Sequence, residues 1–172
     1  IPNDKKNFKI KRSKKLALDN SPMLPVLQDA ILQYEKKYNS NIDAIIIFDP
    51  TAPLRIKKDV ESAIRKLKNK KDIVVGISKT NRSPNFNMVK KDGVKVKLLK
   101  KDKILINRQM SQKTFDLTTI IYACNYKFVL DIKNSYWEGN VKFVEIPKIR
   151  SIDIDDITDF QLAELVYKKI NL

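Results

Sequence analysis

Asp43-Ala44-Ile45-Ile46-Ile47-Phe48, followed at once by Asp49-Pro50-Thr51-Ala52-Pro53-Leu54-Arg55, is the stretch that decides the fold class. A continuous apolar run of this kind marks a strand buried on both faces. The two prolines behind it make a rigid loop at the strand's carboxyl end. Val60, Ala63, Ile64 and Leu67 then recur at helical spacing, predicting a helix over about 57–69 with those side chains inward. Asp72-Ile73-Val74-Val75-Gly76-Ile77-Ser78 is the next buried strand. Strand, helix, strand in this order implies a right-handed parallel crossover, and so an α/β chain with a mostly parallel sheet covered on both faces.

Working outward, residues 1 to about 17 are Lys-rich and read as an extended connection. Ser21 then reads as a helix N-cap with Pro22 at the first helical position, and Leu24, Leu27, Ile31 and Tyr34 carry that helix to about Tyr38. On the other side the pattern changes. Phe86-Asn87-Met88-Val89 and Val94-Lys95-Val96-Lys97-Leu98 alternate around Asp92-Gly93, a hairpin signal. Val94, Val96 and Leu98 are expected on one face of it, with Lys95 and Lys97 on the other. The α/β pattern resumes with a strand at Thr118 to Ala123, a short helix near Lys127–Leu130, a strand at Val141 to Ile146 and a last helix turning Leu162, Leu165, Val166 and Ile170 inward.

At 172 residues with 42% hydrophobic content, the chain is the length of one domain and has enough apolar residues for a sizeable core. No apolar run approaches the roughly 20 residues needed to span a bilayer, so no membrane association is expected. The polar, non-Met start Ile1-Pro2-Asn3-Asp4-Lys5-Lys6 is no signal peptide, which predicts a cytoplasmic protein, and it suggests that something upstream is missing. With no histidine, His-based triads and His-ligated zinc are excluded. The single Cys124 sits in the apolar run Ile120–Cys124 and reads as a small core residue. A net charge of +15 invites a nucleic-acid reading, but only six of the 35 basic residues are Arg, the residue that phosphate and base recognition favours. Aromatics are not interleaved with the basic runs either, so no nucleic-acid partner is expected, while anionic small ligands are favoured.

The candidate chemistry lies in Ser151-Ile152-Asp153-Ile154-Asp155-Asp156. Alternation sends Asp153 and Asp155 to one side of an extended segment and Ile152 and Ile154 to the other. Two adjacent carboxylates repel each other and suit Mg²⁺ held together with substrate phosphates. The competing reading is that Asp155, Asp156 or Thr158 simply caps the helix that follows.

Four segments, taken in order, match the motifs of one known enzyme family. Lys11-Arg12-Ser13-Lys14-Lys15-Leu16-Ala17-Leu18-Asp19 is similar to R-P-x-x-L-A-x-D, with Ser13 in place of the proline. Asp49-Pro50-Thr51-Ala52-Pro53-Leu54-Arg55 is close to Q-P-T-S-P-L-R. Asn107-Arg108-Gln109 followed by Phe115 to Tyr122 stands where the family has R-R-Q and a strand ending in Tyr. Arg150-Ser151-Ile152-Asp153-Ile154-Asp155 is similar to S-I-D-I-D, and Asp159-Phe160 with Ala163-Glu164 continues it. In this order the four segments resemble the acylneuraminate cytidylyltransferases, the CMP-sialic acid synthetase family, and the resemblance implies a three-layer Rossmann-like nucleotidyltransferase (nucleotide-diphospho-sugar transferase) fold with a protruding hairpin arm. It implies a reaction in which the anomeric hydroxyl of a sugar acid attacks the α-phosphate of CTP, for surface polysaccharide synthesis. It implies Mg²⁺ on Asp153 and Asp155, nucleotide contacts from Arg12, Thr51 and Arg55, and a homodimer joined through an arm at about 86–112.

The departures from the family pattern carry expectations of their own. The family opens with a strand and a basic glycine-containing loop, A-R-x-G-S-K, that cradles the CTP phosphates. Gly76, Gly93 and Gly139 are the only glycines here and none are clustered, so that loop is not in this sequence. Residues 1–172 therefore read as a single cytidylyltransferase-like domain lacking its first strand, loop and helix, roughly 60 to 70 residues by typical unit length. The alternative is a non-catalytic remnant or a partner-binding module. On the acceptor side, Asp49 stands where sialic acid enzymes have Gln, and Asp116 replaces the Arg of F-R-x-N-G that pairs with the substrate carboxylate. Asp116 would repel a carboxylate and is expected to face an amine or hydroxyl. Arg82 and Arg108 remain as carboxylate partners with Gln109 beside them, and the expected acceptor is a bacterial nonulosonic acid other than ordinary sialic acid.

Overall fold

The computed structural model describes residues 9–18, 21–39, 42–100, 113–132 and 135–170. In chain order the elements are α1 (Met23–Tyr38), β1 (Ala44–Ile47), α2 (Lys57–Lys66), β2 (Asp72–Thr80), β3 (Val89–Asp92), β4 (Lys95–Leu98), β5 (Thr114–Asn125), α3 (Tyr126–Asp131), β6 (Asn140–Glu145) and α4 (Ile157–Ile170). Short 3-10 turns stand at Lys14–Leu16, Tyr136–Glu138 and Lys148–Arg150. No helix among the described residues is long and apolar enough to cross a membrane.

The α/β class is as the sequence predicts. The strand order β1-β5-β2-β6, with β3-β4 as a separate pair, puts β5 between the two strands expected to be joined by a simple crossover. β1 runs antiparallel to β5, with Ala44 opposite Asn125 and Ile47 opposite Tyr122. Hydrogen bonds from Asn140 N to Lys71 O and from Ile146 N to Ile77 O advance together along both chains, so β2 and β6 are parallel. β5 begins where β2 ends, since the Thr114 hydroxyl donates to the Arg82 carbonyl. A strand that starts at its neighbour's carboxyl end and pairs with it runs back antiparallel. β1, β2 and β6 therefore share one direction, and β5 is the reversed strand in a mostly parallel sheet.

The chain divides into two compact units. The first takes the described residues up to Ile47, Val60–Val75 and Ile121–Lys142. Ile73, Val74, Ile121, Ala123, Phe128 and Val129 are buried in it. Cys124 is fully buried too, and that burial pushes its thiol up to about 12. The Gln28 side chain donates to the carbonyls of Val129 (2.9 Å) and Ile132 (3.3 Å), satisfying acceptors at the end of α3 that the helix cannot. Gly139 is required by close approach, because a Cβ there would lie 2.6 Å from the Phe128 ring and 2.8 Å from Lys71 O. Asp72 is fully buried and accepts from Lys142 Nζ (2.5 Å), Asn140 Nδ2 (2.8 Å) and the amides of Lys68 and Asn69 (both 2.8 Å).

Several local expectations are corrected. Pro22, not Ser21, is the residue at the N-cap of α1, because the Ser21 hydroxyl is engaged with Leu18 N and Lys15 O in the preceding turn. β1 is half-buried along its length instead of doubly buried, because it lies at the sheet edge beside β5 alone among the described residues. Ile64 is exposed, because α2 turns Asp59 and Ala63, four residues apart, inward. Leu162 and Leu165 are exposed in the same way, with Ala163 and Val166 forming the inward face of α4.

The second unit takes Phe48–Asp59, Gly76–Ile120 and the described residues from Phe143. Leu54, Ala163 and Val166 form its buried cluster, with Ile152, Ile154 and Ile170 packed against it. In its hairpin Val89 faces Leu98 and Lys91 faces Val96, so the turn falls on Gly93-Val94, one residue later than Asp92-Gly93. Gly93 takes φ +61°, the left-handed conformation such a turn favours in glycine. Val94 therefore sits fully exposed at the tip, and the apolar face is Val89, Val96 and Leu98.

Candidate functional site

The second unit brings together most of the residues singled out from sequence. Between Asp49 and Arg55 the loop alternates, with Ala52 and Leu54 fully buried and Thr51 and Pro53 exposed. The Asp49 carbonyl accepts from Ala52 N (3.2 Å) and Arg55 Nη2 (2.5 Å). Arg55 Nε also donates to Ile120 O at 3.2 Å, and the guanidinium lies 4.8 Å from the centre of the Phe48 ring. Burial lowers the Arg55 pKa, and the Asp49 carboxylate opposes that shift. Arg55 thus spends two donors on backbone carbonyls and braces the loop it ends.

The acidic segment is built by packing. Ile152 and Ile154 lie against Leu54 and α4, which leaves Asp153 and Asp155 to the other side, as alternation predicts. Ile154 N donates to Thr51 O at 2.9 Å, joining this segment to the first loop. The helix cap belongs to Asp156, whose Oδ1 accepts from Thr158 N (2.7 Å) and Asp159 N (3.0 Å). Asp159 Oδ2 accepts from Asp155 N at 3.2 Å. Capping therefore leaves the Asp153 and Asp155 carboxylates without a cationic partner among the described residues, and Asp153 Oδ1 is buried with no hydrogen bond. Among the described residues no third carboxylate, His or Cys joins them in a metal-holding group. Two hard carboxylates, one of them with an orphaned buried oxygen, fit Mg²⁺, which binds through one or two protein carboxylates with phosphates and water supplying the rest.

Of the residues expected to face the acceptor, Arg82 Nη2 donates to Asp116 Oδ1 at 2.8 Å, with the side chains 62% and 45% exposed. Arg82 and Asp116, separate candidates in sequence, are thus each other's partner. The turn beside them is tied by Asn87, whose Oδ1 accepts from Ser83 N (2.6 Å) and whose Nδ2 donates to Asn81 O (3.0 Å). Arg12 lies in the first unit, exposed just before the Lys14–Leu16 turn. Arg108, Gln109 and the rest of 101–112 fall outside the described residues.

Sequence reasoning missed Asp59 and Arg150. Arg150 Nη1 and Nη2 meet Asp59 Oδ2 and Oδ1 at 2.6 and 3.0 Å, and Nη1 also donates to Leu54 O at 3.1 Å. The signal available was an acidic residue four positions before Ala63 on the inward stripe of a predicted helix.

No protein-family model matches the chain. It is 29% identical over 164 residues to post-translational flagellin modification protein B of Campylobacter coli, covering 94% of this chain and 68% of that protein. It is 28% identical over 163 residues to CMP-N,N'-diacetyllegionaminic acid synthase of Campylobacter jejuni, with the same coverage of 94% and 68%. The crystal structure of 4-diphosphocytidyl-2C-methyl-D-erythritol synthase from Anaerococcus prevotii superposes with a TM-score of 0.51 at 15% identity, over 82% of this chain and 66% of that one. The chain thus spans about two thirds of the length of each. The structural match fits the Rossmann-like nucleotidyltransferase fold. Of the two Campylobacter relatives, the C. jejuni one is named for CMP-sugar-acid synthesis and the C. coli one for flagellin modification.

Proposed function

We propose that this chain belongs to a Mg²⁺-dependent CTP:sugar-acid cytidylyltransferase whose acceptor is a nonulosonic acid of the kind named for the C. jejuni relative, with the CMP-sugar destined for a surface polysaccharide or flagellin glycan. The observation that carries the reading is the Asp153–Asp155 pair, left free by the Asp156 cap and containing a buried, unpaired oxygen.

In this reaction the anomeric hydroxyl oxygen forms a bond to the α-phosphorus of CTP, the α–β bridging P–O bond breaks and pyrophosphate leaves. Bound Mg²⁺ would neutralise the phosphate charge that builds during the transfer. Asp153 and Asp155 hold the ion. Thr51 and Arg12 contact the nucleotide, while Arg55 acts on it indirectly by holding the loop from Asp49 to Arg55 in shape. Asp49, Arg82, Arg108, Gln109 and Asp116 form the acceptor side. The protein works in the cytoplasm as one cytidylyltransferase-like domain, and its arm at 86–112 packs the Val89, Val96 and Leu98 face on a second copy. A two-stranded hairpin is marginal alone, and Val89 and Val96 are exposed among the described residues, which supports that arrangement.

Pyrophosphate release by the full-length gene product with CTP, Mg²⁺ and a panel of nonulosonic acids is the test. Turnover with at least one acid is expected, falling about 10²-fold or more in Asp153→Asn or Asp155→Asn as transition-state charge loses its counter-ion. A folded protein with no CTP-dependent turnover on any acid would return the chain to the partner-binding alternative.

A further inference from the structure

The Asp59–Arg150 pair is almost fully buried, with side chains 6% and 8% exposed, in a unit whose other described ion pairs lie near the surface. Burying two charges costs several kcal/mol each in desolvation, and well-packed apolar residues of similar volume often serve stability as well or better. The pair is placed where orientation matters. Asp59 Oδ2 also accepts from Ile56 N at 3.1 Å, and Arg150 Nη1 reaches Leu54 O, so both partners grip the end of the loop that carries Thr51. Three residues beyond Arg150 stands Asp153, and the next residue, Ile154, donates to Thr51 O. Asp153 is therefore tethered on both sides to the same loop.

We infer that Asp59 and Arg150 are positioning residues that fix Asp153 and Asp155 against the Thr51 loop, so that a divalent cation on the acidic pair meets the nucleotide phosphates in register. The inference rests on the function proposed above and adds to it the device that aligns the site. Only Arg suits the task, because its planar fork takes both carboxylate oxygens and still has a donor for Leu54 O.

The decisive variant is Asp59→Leu combined with Arg150→Met, which replaces the pair by apolar groups without orphaning a charge. Thermal melting is expected at or above the wild-type temperature. Turnover and Mg²⁺ affinity, the latter from titration calorimetry in the presence of CTP, are expected to fall about 10- to 100-fold, as when groups that orient metal ligands are removed. KM for the acceptor should stay within about twofold, since the acceptor side is untouched. Arg150→Lys, which keeps the charge and loses the fork, should weaken Mg²⁺ affinity in the same direction. It carries the test with the same thresholds if the double variant does not fold. A folded variant within about threefold of wild type in both turnover and Mg²⁺ affinity would overturn the inference while leaving the proposed function intact. Wild-type protein with neither turnover nor Mg²⁺-dependent CTP binding would sink the proposed function and this inference with it.

Discussion

Arg150 and Arg82 each lie within 3 Å of a carboxylate, yet the first pair is buried and the second stands largely in water. The buried pair joins the first turn of α2 to the turn before Asp153, and the loops beside these two turns are hydrogen-bonded to each other and share one apolar cluster. The exposed pair spans the start of β5 and the turn after β2, with both side chains in contact with water. A charge that has surrendered its water must be held by its partner, whereas an exposed pair exchanges its partner for water or a ligand at small cost. The segments proposed to hold the metal and nucleotide are thus built to stay still, and the pair proposed to face the acceptor to be re-paired.

The largest expected effect breaks or keeps that contrast directly. Arg150→Ala leaves Asp59 buried without its cation and should cost about 3–5 kcal/mol of unfolding free energy. Arg82→Ala should cost about 0.2–1 kcal/mol. Urea denaturation of both variants gives the comparison, and similar losses would show that burial does not separate the two pairs.

The same contrast explains what the sequence reveals. The alternation of Ile152 and Ile154 with Asp153 and Asp155 is visible because an extended segment against a core has a period of two. Which of Asp155, Asp156 and Thr158 caps α4 is not visible, since it depends on the residue at which the helix starts, and boundaries shift by one or two residues under local packing. β1 reads as a central strand because four apolar residues look alike at the centre and the edge of a sheet. The antiparallel course of β5 also lies beyond periodicity, being set by its start beside the carboxyl end of β2. Arg150 is silent for a different reason: a basic residue beside a turn in a chain of 35 such residues has no pattern, and its meaning comes from Asp59, 91 residues away.

A pair of mixed burial sharpens the comparison. Asp72 is fully buried, while Lys142 is 29% exposed at its side chain. Burial acts to raise the Asp72 carboxyl, but Lys142, the amides of Asn69 and Lys68, and the Asn140 side chain outweigh it and hold the group well below the usual carboxylate range. The unfolded chain therefore takes up this proton first as pH falls. The stabilisation is present in full above the unfolded carboxylate value, about 4, and is lost as pH drops further towards the folded one. Asp72→Asn should cost about 1.5–3 kcal/mol at pH 7, the range for hydrogen bonds to a charged group. It should also flatten the fall in urea midpoint between about pH 4 and pH 2. A variant with the same acid slope as wild type would assign that slope to other carboxylates.

The smallest effect on stability is the most informative about the acceptor. A double-mutant cycle on Arg82→Ala and Asp116→Ala should return a coupling of about 0.2–1 kcal/mol at low salt, shrinking as ionic strength screens the exposed charges. Its functional shadow is larger. As long as Asp116 holds Arg82, an acceptor carboxylate must displace one negative group to reach the guanidinium, and the remaining carboxylate repels it. Asp116→Asn keeps the shape and removes that charge, so KM for a carboxylate-bearing acceptor should fall about three- to tenfold, worth about 1 kcal/mol, with turnover little changed. If Arg82 instead receives no carboxylate and Asp116 meets an amine or hydroxyl of the sugar, the same variant raises KM by a similar factor. The sign of the change therefore decides which member of the pair faces the acceptor's acid group.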